Sequence, residues 1–488
     1  MNVAVLEITS LPTSGLKSLT ARQFTSVFPQ AIACWAKAAG YDVDYQVYSG
    51  TGPLPEFNAP DILFVKTTSQ CSVLAYLVAA RQPAKTLTVI GGPHAICHPE
   101  ECLNHFDVVV DGPCNKELIL TICRREHTDS VLHSSSPTAI PSVKERWPFI
   151  QAAQGRLPFF SVIGMLSSVG CGNGCAFCID WNARWNALPL KLLEADLQFL
   201  KTHTRRPILF QDPNVGRHLD MVLDTMESVG WKNRWAFETD LQSLTPLRLS
   251  RLKRTNCVGI GIGIESWTDY GRKVGLSQCT PQQKYARVTE HLEQVKAHIP
   301  LITANMMWPN DTDEGDLPVE LTKSLIRDHA DIWCVLNFPT AYNRTPLHKR
   351  LKKENRLLPL PLVFQVNGYI SVIPKHYPTN EAIQKFVEFE IASETARKKA
   401  KQSLFIKFVS WIYKHGTGST AQRLLAAMDQ KEMKLFHEGR SKVIPQWYWQ
   451  EYRQLLGPYA KAALALESRT AFTPIENADL IHIPQSAQ

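Results

Sequence analysis

The stretch SSVGCGNGCAFCID, residues 167–180, places three thiols and three glycines on one short loop. Cys171, Cys175 and Cys178 follow the spacing C-x3-C-x2-C. Thiols this closely spaced in a chain without other disulfide signals read as metal ligands, with plain buried cysteines as the bland alternative. An iron-sulfur cubane is held by four thiolates, so a loop that offers three leaves one iron with an open position. Gly170, Gly172 and Gly174 let the backbone curl around a bulky inorganic core, because glycine tolerates positive φ and close approach. Zinc also binds clustered thiolates. A closed structural zinc site, however, takes a fourth protein ligand, usually from a second pair, and none follows at such spacing.

The surrounding composition admits such a site. At 488 residues the chain is too long for one ordinary core, and two or three domains are expected. Its hydrophobic fraction of 44% and charged fraction of 20% are those of a soluble globular protein. The first residues, MNVAVLEIT, lack a basic start before a long apolar run, and no later stretch reaches about 18 uninterrupted apolar residues. A cytoplasmic location is therefore expected. Twelve cysteines without a secretory signal read as reduced thiols rather than a disulfide frame. Of these, Cys34, Cys71, Cys123, Cys257 and Cys334 sit in apolar runs and read as core. The formal charge of +8 is modest, and no zinc-finger, RNP-like or basic-zipper pattern accompanies it, so no nucleic-acid partner is indicated. ARKKAKQSLFIKFVSWIYKH, from Ala396, reads as a helix with a solvated basic face and a core face, with membrane-surface contact as the alternative.

Working outward from the cysteine loop, the chain alternates strand and helix on both sides. Residues 1–126 carry NVAVLEI, DVDYQVYS, DILFVKTT, TLTVIGG and DVVVDG as strands, with helices near Ala33 and Ala75 between them. Short β-branched runs between helices predict a parallel sheet covered on both faces, a flavodoxin-like domain with its ligand edge at the carboxyl ends of the strands. Residues 127–158, containing HSSSPTAIPS, show no sustained period and read as a linker. From 159 to 355 the alternation restarts as six strand-helix units, FSVIGML, PILFQD, RWAFETD, CVGIGIGIES, LITANMMWP and DIWCVLNFPT each opening one. Six units fall short of a closed barrel and predict a partial β/α barrel with chemistry on its carboxyl-terminal rim. Residues 356–488 read as a helical cap or tail, whose Trp-rich segments KFVSWIYKH and PQWYWQEYRQLL are expected to be core and whose last dozen or so residues read as frayed.

The C-x3-C-x2-C loop, with Phe177 before its last cysteine, resembles the radical S-adenosylmethionine (radical SAM) superfamily. The resemblance implies that Cys171, Cys175 and Cys178 hold a 4Fe-4S cluster whose open iron binds the amino and carboxylate groups of SAM, the reduced cluster then cleaving SAM to a 5′-deoxyadenosyl radical. It extends to other strand ends. ILFQDPN places Asp212 where the family meets the SAM amino group, WAFETD places Glu238 at the third strand end, and the "GIES" of CVGIGIGIES sets Glu265 and Ser266 near the SAM ribose or methionyl group. A salt-bridged or helix-capping role is the alternative for each carboxylate. Three departures stand out. Ser168-Val169-Gly170-Cys171 replaces the family's Ser-Arg-Gly-Cys, Met307-Trp308-Pro309-Asn310 its Gly-x-Pro-Gly, and Thr345-Pro346-Leu347 its Pro-Gly-Thr turn.

VIGGPHA, followed by HPEECL and DVVVDGPCNKE and placed before a radical SAM domain, resembles the cobalamin-binding domain of the B12-binding radical SAM class. The resemblance spans roughly residues 1–355 and implies a cofactor wall made of Gly91, Gly92, Pro93 and His94, with Thr67, Thr68 and Ser69 at the preceding strand end and Gly112 at the next. ITSLPTSG lacks the Asp-x-His-x-x-Gly loop that ligates cobalt in many B12 proteins, as do many members of this class. His94 is equally suited to capping the following helix. A metal cluster drawn from His94, Cys97, His98 and Cys102 is disfavoured by their spacing across a proline-containing helix start. The implied activity is a cobalamin-dependent methyltransferase acting on an unactivated carbon or phosphorus centre of a small-molecule or peptide substrate, supplied with electrons by a donor such as flavodoxin or ferredoxin. The alternatives are a cyclising, rearranging or oxidising radical SAM enzyme and a non-enzymatic cluster or cobalamin sensor. Tyr342 and Arg344 stand as candidates at the rim.

Overall fold

In the computed structural model, the structure describes residues 1–12, 25–133, 135–153, 161–358, 360–364, 369–399, 431–432, 435 and 443–467. KFVSWIYKH, most of the basic stretch after Ala396 and the final residues lie outside the described residues.

The first domain runs β1 (Asn2–Ile8), α1 (Val27–Ala38), β2 (Asp42–Tyr48), β3 (Ile62–Lys66), α2 (Ser72–Ala80), β4 (Leu87–Gly91), α3 (Pro93–Cys97), α4 (Pro99–Cys102), β5 (Val108–Val110), α5 (Lys116–Cys123), β6 (Val131–Leu132) and α6 (Val143–Ala152). Its six strands lie in the order β2-β1-β3-β4-β5-β6, all parallel. The period of two explains why these apolar runs form such a sheet. Val3, Val5, Ile62, Phe64, Val89 and Val108 pack into the core under α1 and α5, while Ala4, Leu6, Leu63, Val65, Ile90 and Val109 pack on the opposite face with α2. The sequence order reverses between β1 and β3, which puts the ligand crevice of such a sheet at their carboxyl ends.

The segment 127–158 holds more than a spacer. Val131–Leu132 adds the sixth strand to the sheet, and Ser142 caps α6 with a capping box to Glu145. The sequence hides this helix for two reasons. Pro148 interrupts its interior, and a buried arginine, Arg146, takes a core-facing position that the apolar period would reserve for a hydrophobe. Arg146 is satisfied by the Pro141 carbonyl at 3.1 Å and by Gln30 Oε1 of α1 at 2.8 Å.

The second domain contains β7 (Ile163–Met165), β8 (Ser168–Val169), β9 (Asn186–Ala187), α7 (Leu190–His203), β10 (Ile208–Phe210), α8 (Leu219–Ser228), β11 (Trp235–Thr239), α9 (Pro246–Arg254), β12 (Cys257–Glu265), α10 (Pro281–Lys296), β13 (Leu301–Met307), α11 (Leu317–Asp328) and β14 (Trp333–Asn337). Six strands form one parallel sheet in sequential order from β7 through β10 to β14, the partial barrel that the cadence predicts. A short helix, α12 (Pro346–Lys353), follows β14, and α13 (Thr379–Lys399) then packs on β14 and α11, so that the sixth barrel helix lies beyond residue 355. The tail continues with α14 (Val443–Leu456) and α15 (Ala460–Glu467). Trp447, Tyr448 and Tyr452 of α14 are buried, as core aromatics should be, and Tyr448 packs edge-on against Phe364. The tail reaches the first domain: α15 packs on α2, and the Leu54 amide donates to the Tyr459 hydroxyl at 2.8 Å. No helix among the described residues is long and apolar enough to cross a membrane.

Candidate active site

The cysteine loop hangs from a two-stranded hairpin. β8 and β9 pair antiparallel, Ser168 opposite Ala187 and Val169 opposite Asn186, and so clamp both ends of residues 170–185. Inside the clamp the Cys171 amide donates to the Ala183 carbonyl at 3.3 Å, the Cys178 amide to the Cys175 carbonyl at 3.0 Å, and the Asp180 amide to the Cys178 sulfur at 3.4 Å. Gly170 has φ +78, and a Cβ there would overlap the Arg184 carbonyl across the clamp, so no other residue fits. The three cysteines are half-buried, and their thiols lie near enough to influence one another electrostatically. Burial pushes the Cys178 thiol up to about 12 and raises that of Cys175 against the opposing pull of Lys273. Among the described residues no group of three His, Cys, Asp or Glu side chains is arranged to hold a metal ion. Three thiols on one loop are nevertheless the donor set a cubane takes, each thiolate on a different iron.

Asp212, at the end of β10, anchors the approach to this loop. Buried at 2% exposure, it accepts from the Ser167 amide at 3.1 Å, the Ser167 hydroxyl at 2.8 Å and the Ser168 hydroxyl at 2.7 Å. Because the Ser167 hydroxyl donates to Asp212, the His218 Nε2 at 2.7 Å from it is the donor of that second contact. Burial lowers the His218 pKa to about 4, which keeps the ring neutral, and raises that of Asp212. The carboxylate is thus committed to the loop's serines.

Glu238, Glu265 and Phe177 meet at the mouth of the barrel around a residue that sequence reasoning missed, Lys273. The residues at alternate positions of the strands, among them Thr303, Asn305, Val335 and Asn337, stay half-buried and line an open bore, whereas their neighbours are sealed under the helices. The glycines of β12 make room above that strand. A Cβ on Gly261 would lie 3.0 Å from Glu238 Cγ and 3.3 Å from Thr303 Oγ1, and one on Gly263 would meet Glu265 and Lys273. Glu265 has a left-handed backbone, φ +66, and forms an ion pair with Lys273, whose ammonium also lies 5.5 Å from the centre of the Phe177 ring. Burial opposes the charge on Lys273, but Glu265 and Cys175 beside it outweigh burial and raise its pKa. Glu238 remains accessible on its strand yet is surrounded by protein, the combination expected of a side chain facing an open cavity. Burial, reinforced by Glu265, raises its pKa. The one sequence signal for Lys273 is its place in GRKVG, a single turn eight residues beyond Glu265, closed by Gly275 at φ +81. Ser266 points away into a scaffold, donating to Asp313 at 2.9 Å, while the buried Lys284 ammonium donates to the carbonyls of Ile264, at 2.9 Å, Ser266 and Asp269.

A cavity of about 830 Å³ joins the two domains at the switch point of the first sheet. Its walls include Val5, Phe64 and Lys66 of β1 and β3, Gly91, Gly92 and Pro93 after β4, and Gly112 after β5 on one side. Gly170, Ile179 and Asp180 of the cysteine loop form the other, with Ser135, Ser136 and Thr138 along one edge. Gly92 has φ +90, and a Cβ there would come within 2.9 Å of Lys66 Cγ. Of the wall expected from the sequence, Gly91, Gly92, Pro93 and Gly112 line the cavity, and Thr67, Thr68, Ser69 and His94 do not. His94 is fully buried in a polar network instead: Nε2 lies 2.6 Å from the Tyr76 hydroxyl, Nδ1 lies 3.2 Å from the Ser69 hydroxyl, and Tyr76 donates to Glu101 at 2.9 Å. It makes no side-chain cap on α3. Lys66 reaches Glu7 at 3.2 Å, and Glu7 accepts from the Ser26 amide at 2.9 Å, which ties β3 to β1 and to the start of α1 beside the cavity. The mostly apolar walls, glycine edge and hydroxyl-bearing margin suit a large flat cofactor with a polar tail. Tyr342 is half-buried near Cys97 and Cys178, and Arg344 bridges to Asp111 of the first domain at 2.7 Å.

No family model matches the chain. The bacteriochlorophyllide d C-12(1)-methyltransferase of Chlorobaculum tepidum is 20% identical over 315 residues, which cover 62% of this chain and 68% of that protein. Among solved structures, the radical SAM methyltransferase TsrM of Kitasatospora setae, with cobalamin and a 4Fe-4S cluster bound, superposes with a TM-score of 0.52 at 11% identity, covering 72% of this chain and 78% of its own. OxsB, a cobalamin-dependent SAM radical enzyme with aqua-cobalamin and SAM bound, gives 0.55 at 11% identity over 98% of this chain and 82% of its own. The chain has the fold of the cobalamin-dependent radical SAM enzymes: a flavodoxin-like domain, a partial six-stranded β/α barrel and a helical carboxyl-terminal region.

Proposed function

We propose that the chain is a cobalamin-dependent radical SAM methyltransferase that methylates an unactivated carbon or phosphorus centre of a small molecule. One observation carries the reading: a single cavity is walled on one side by the switch-point edge of the first sheet and on the other by the cysteine loop of the barrel. When bound, the cluster with SAM supplies a carbon-centred radical, and cobalamin supplies the methyl group. The protein's part is to hold and shield. Cys171, Cys175 and Cys178 would ligate the cluster; Phe177, Glu238, Glu265 and Lys273 would surround SAM at the bore; Gly91, Gly92, Pro93 and Gly112 would face the corrin. Asp212 would hold the loop in place through its serines.

Anaerobic reconstitution with iron, sulfide and hydroxocobalamin, followed by desalting and an absorption spectrum, tests the proposal. Wild-type protein is expected to retain both cofactors, and the Cys171→Ala/Cys175→Ala/Cys178→Ala variant cobalamin alone. With isotopically labelled SAM, label in a methylated product supports methyl transfer. Cluster absorbance without retained cobalamin would overturn it.

A further inference from the structure

Glu265 reaches the bore from backbone that leaves the regular strand. Ile264 is an extra residue in the pairing of β12 with β13, Gly263 standing opposite Asn305 and Glu265 opposite Met306. A bulge of this kind re-aims the side chain beside it. The Ser266 amide turns back to the Ile264 carbonyl at 2.9 Å, closing a three-residue turn centred on Glu265, whose φ is +66. Such a turn is rare and strained when its central residue has a positive φ, so surrounding contacts must hold it. Lys284, at the start of α10, supplies them. Its ammonium donates to the carbonyls of Ile264, at 2.9 Å, of Ser266, and of Asp269, at 2.6 Å. Three N–H bonds thus meet three acceptors, two of which stand on either side of Glu265. Lys284 is fully buried, lies at the positive end of a helix and has no carboxylate in ion-pair contact among the described residues. Burial and the helix end both oppose its charge, and the three carbonyls directly offset them.

We infer that Lys284 is the positioning residue for Glu265: its ammonium pins the carbonyls on both sides of the glutamate and so holds that carboxylate at the mouth of the bore. The inference rests on the proposed SAM site and adds its control by a proton. An ammonium serves three carbonyls, whereas the neutral amine has two N–H bonds and a lone pair that repels the third acceptor. Burial lowers the Lys284 pKa from 10.5 to about 8, against the pull of Cys279, Glu265 and Asp269, and Lys273 adds to the lowering. Asp313, which accepts from the Ser266 and Thr268 hydroxyls, faces it from the loop after β13. Lys273, whose own pKa is raised, keeps its charge through the same range. As pH rises through about 8, the turn is therefore expected to loosen around Glu265 while the Glu265–Lys273 pair stays charged.

The test compares the full-length chain as wild type, Lys284→Arg and Lys284→Met. Hydrogen-deuterium exchange of peptides covering residues 262–272, corrected for the intrinsic pH dependence of exchange, is the first readout and needs no cofactor. Wild type is expected to lose protection there between about pH 7 and about pH 9, Lys284→Met to lack it at both, and Lys284→Arg, which stays charged, to keep it at both. SAM affinity of the cluster-loaded proteins, by equilibrium dialysis, is the second. Lys284→Met is expected to bind about ten-fold more weakly than wild type at neutral pH, and wild type to approach it as pH rises. The amino group of SAM titrates in the same range, so a fall shared by all three proteins belongs to the ligand and the difference between them to Lys284. Equal protection of residues 262–272 in wild type and Lys284→Met, or protection in wild type that ignores pH, would overturn the inference. If Lys284→Met unfolds, with protection lost in β1 and β4 as well, the pH dependence of wild type decides. If the chain assembles no cluster or binds no SAM, the proposed function fails instead, and the exchange readout still decides whether Lys284 holds the turn.

Discussion

At the residue scale, the site is governed by side chains that hold other side chains. Asp212 satisfies two serines, and its removal leaves a buried amide and two hydroxyls without their acceptor. Asp212→Ala is expected to cost about 2–4 kcal/mol in chemical denaturation and to lower cluster occupancy, measured as iron per chain. Gly170 makes a sharper case. Gly170→Ala drives a methyl into the Arg184 carbonyl at a left-handed position. It should prevent loop closure and cluster assembly while the circular dichroism of the two domains stays unchanged. Lys273 holds Glu265 and faces Cys175 at once, so Lys273→Met should weaken SAM binding, read by equilibrium dialysis, without loss of cluster iron.

Among the elements, the α2-α3-α4 side of the first sheet encloses the least expected chemistry. Burial pushes the Glu101 carboxyl from 4.5 to about 7. Tyr76 and His98 lie against it, at 2.9 and 3.6 Å, and His94 and His105 pack on Tyr76. The folded state thus holds a proton that the unfolded chain has lost. Glu101's contribution to stability is fully present below about pH 4.5, declines as pH rises, and is gone above about pH 7. Glu101→Gln should remove that slope and stabilise the protein above pH 7 by about 1–3 kcal/mol, as read by urea denaturation across the range. This network also shows where sequence legibility ends. Apart from β6, which fell in the stretch read as a linker, the main strands of both sheets were readable because their side chains obey a period of two under full burial, and α7 and α8 because they are amphipathic. The cysteine spacing marked the loop that forms one wall of the cavity. His94 was misplaced because a glycine-proline-histidine turn looks alike whether the ring faces a cofactor or a tyrosine two elements away. Lys273 stayed hidden because nothing in GRKVG marks which cation folds back eight residues to a glutamate. α6 was lost to a proline and a buried arginine.

For the whole molecule, the packing of domain on domain decides what the cavity can hold. Arg344 leaves the barrel rim to bridge Asp111 and the Ile96 carbonyl, at 2.7 and 3.3 Å, both beside residues that wall the cavity. An ion pair this exposed contributes little to global stability, about 1 kcal/mol or less. Arg344→Ala is therefore expected to leave the thermal midpoint nearly unchanged yet to accelerate loss of cobalamin during gel filtration. The β8-β9 hairpin has a different consequence. Its clamp, and the aspartate behind it, are made wholly of protein hydrogen bonds, so the ends of the cysteine loop stay in place without metal. If the proposed cluster were lost to oxidation, both ends of the loop would stay pinned, and refilling the site would need iron and sulfide rather than a newly made chain.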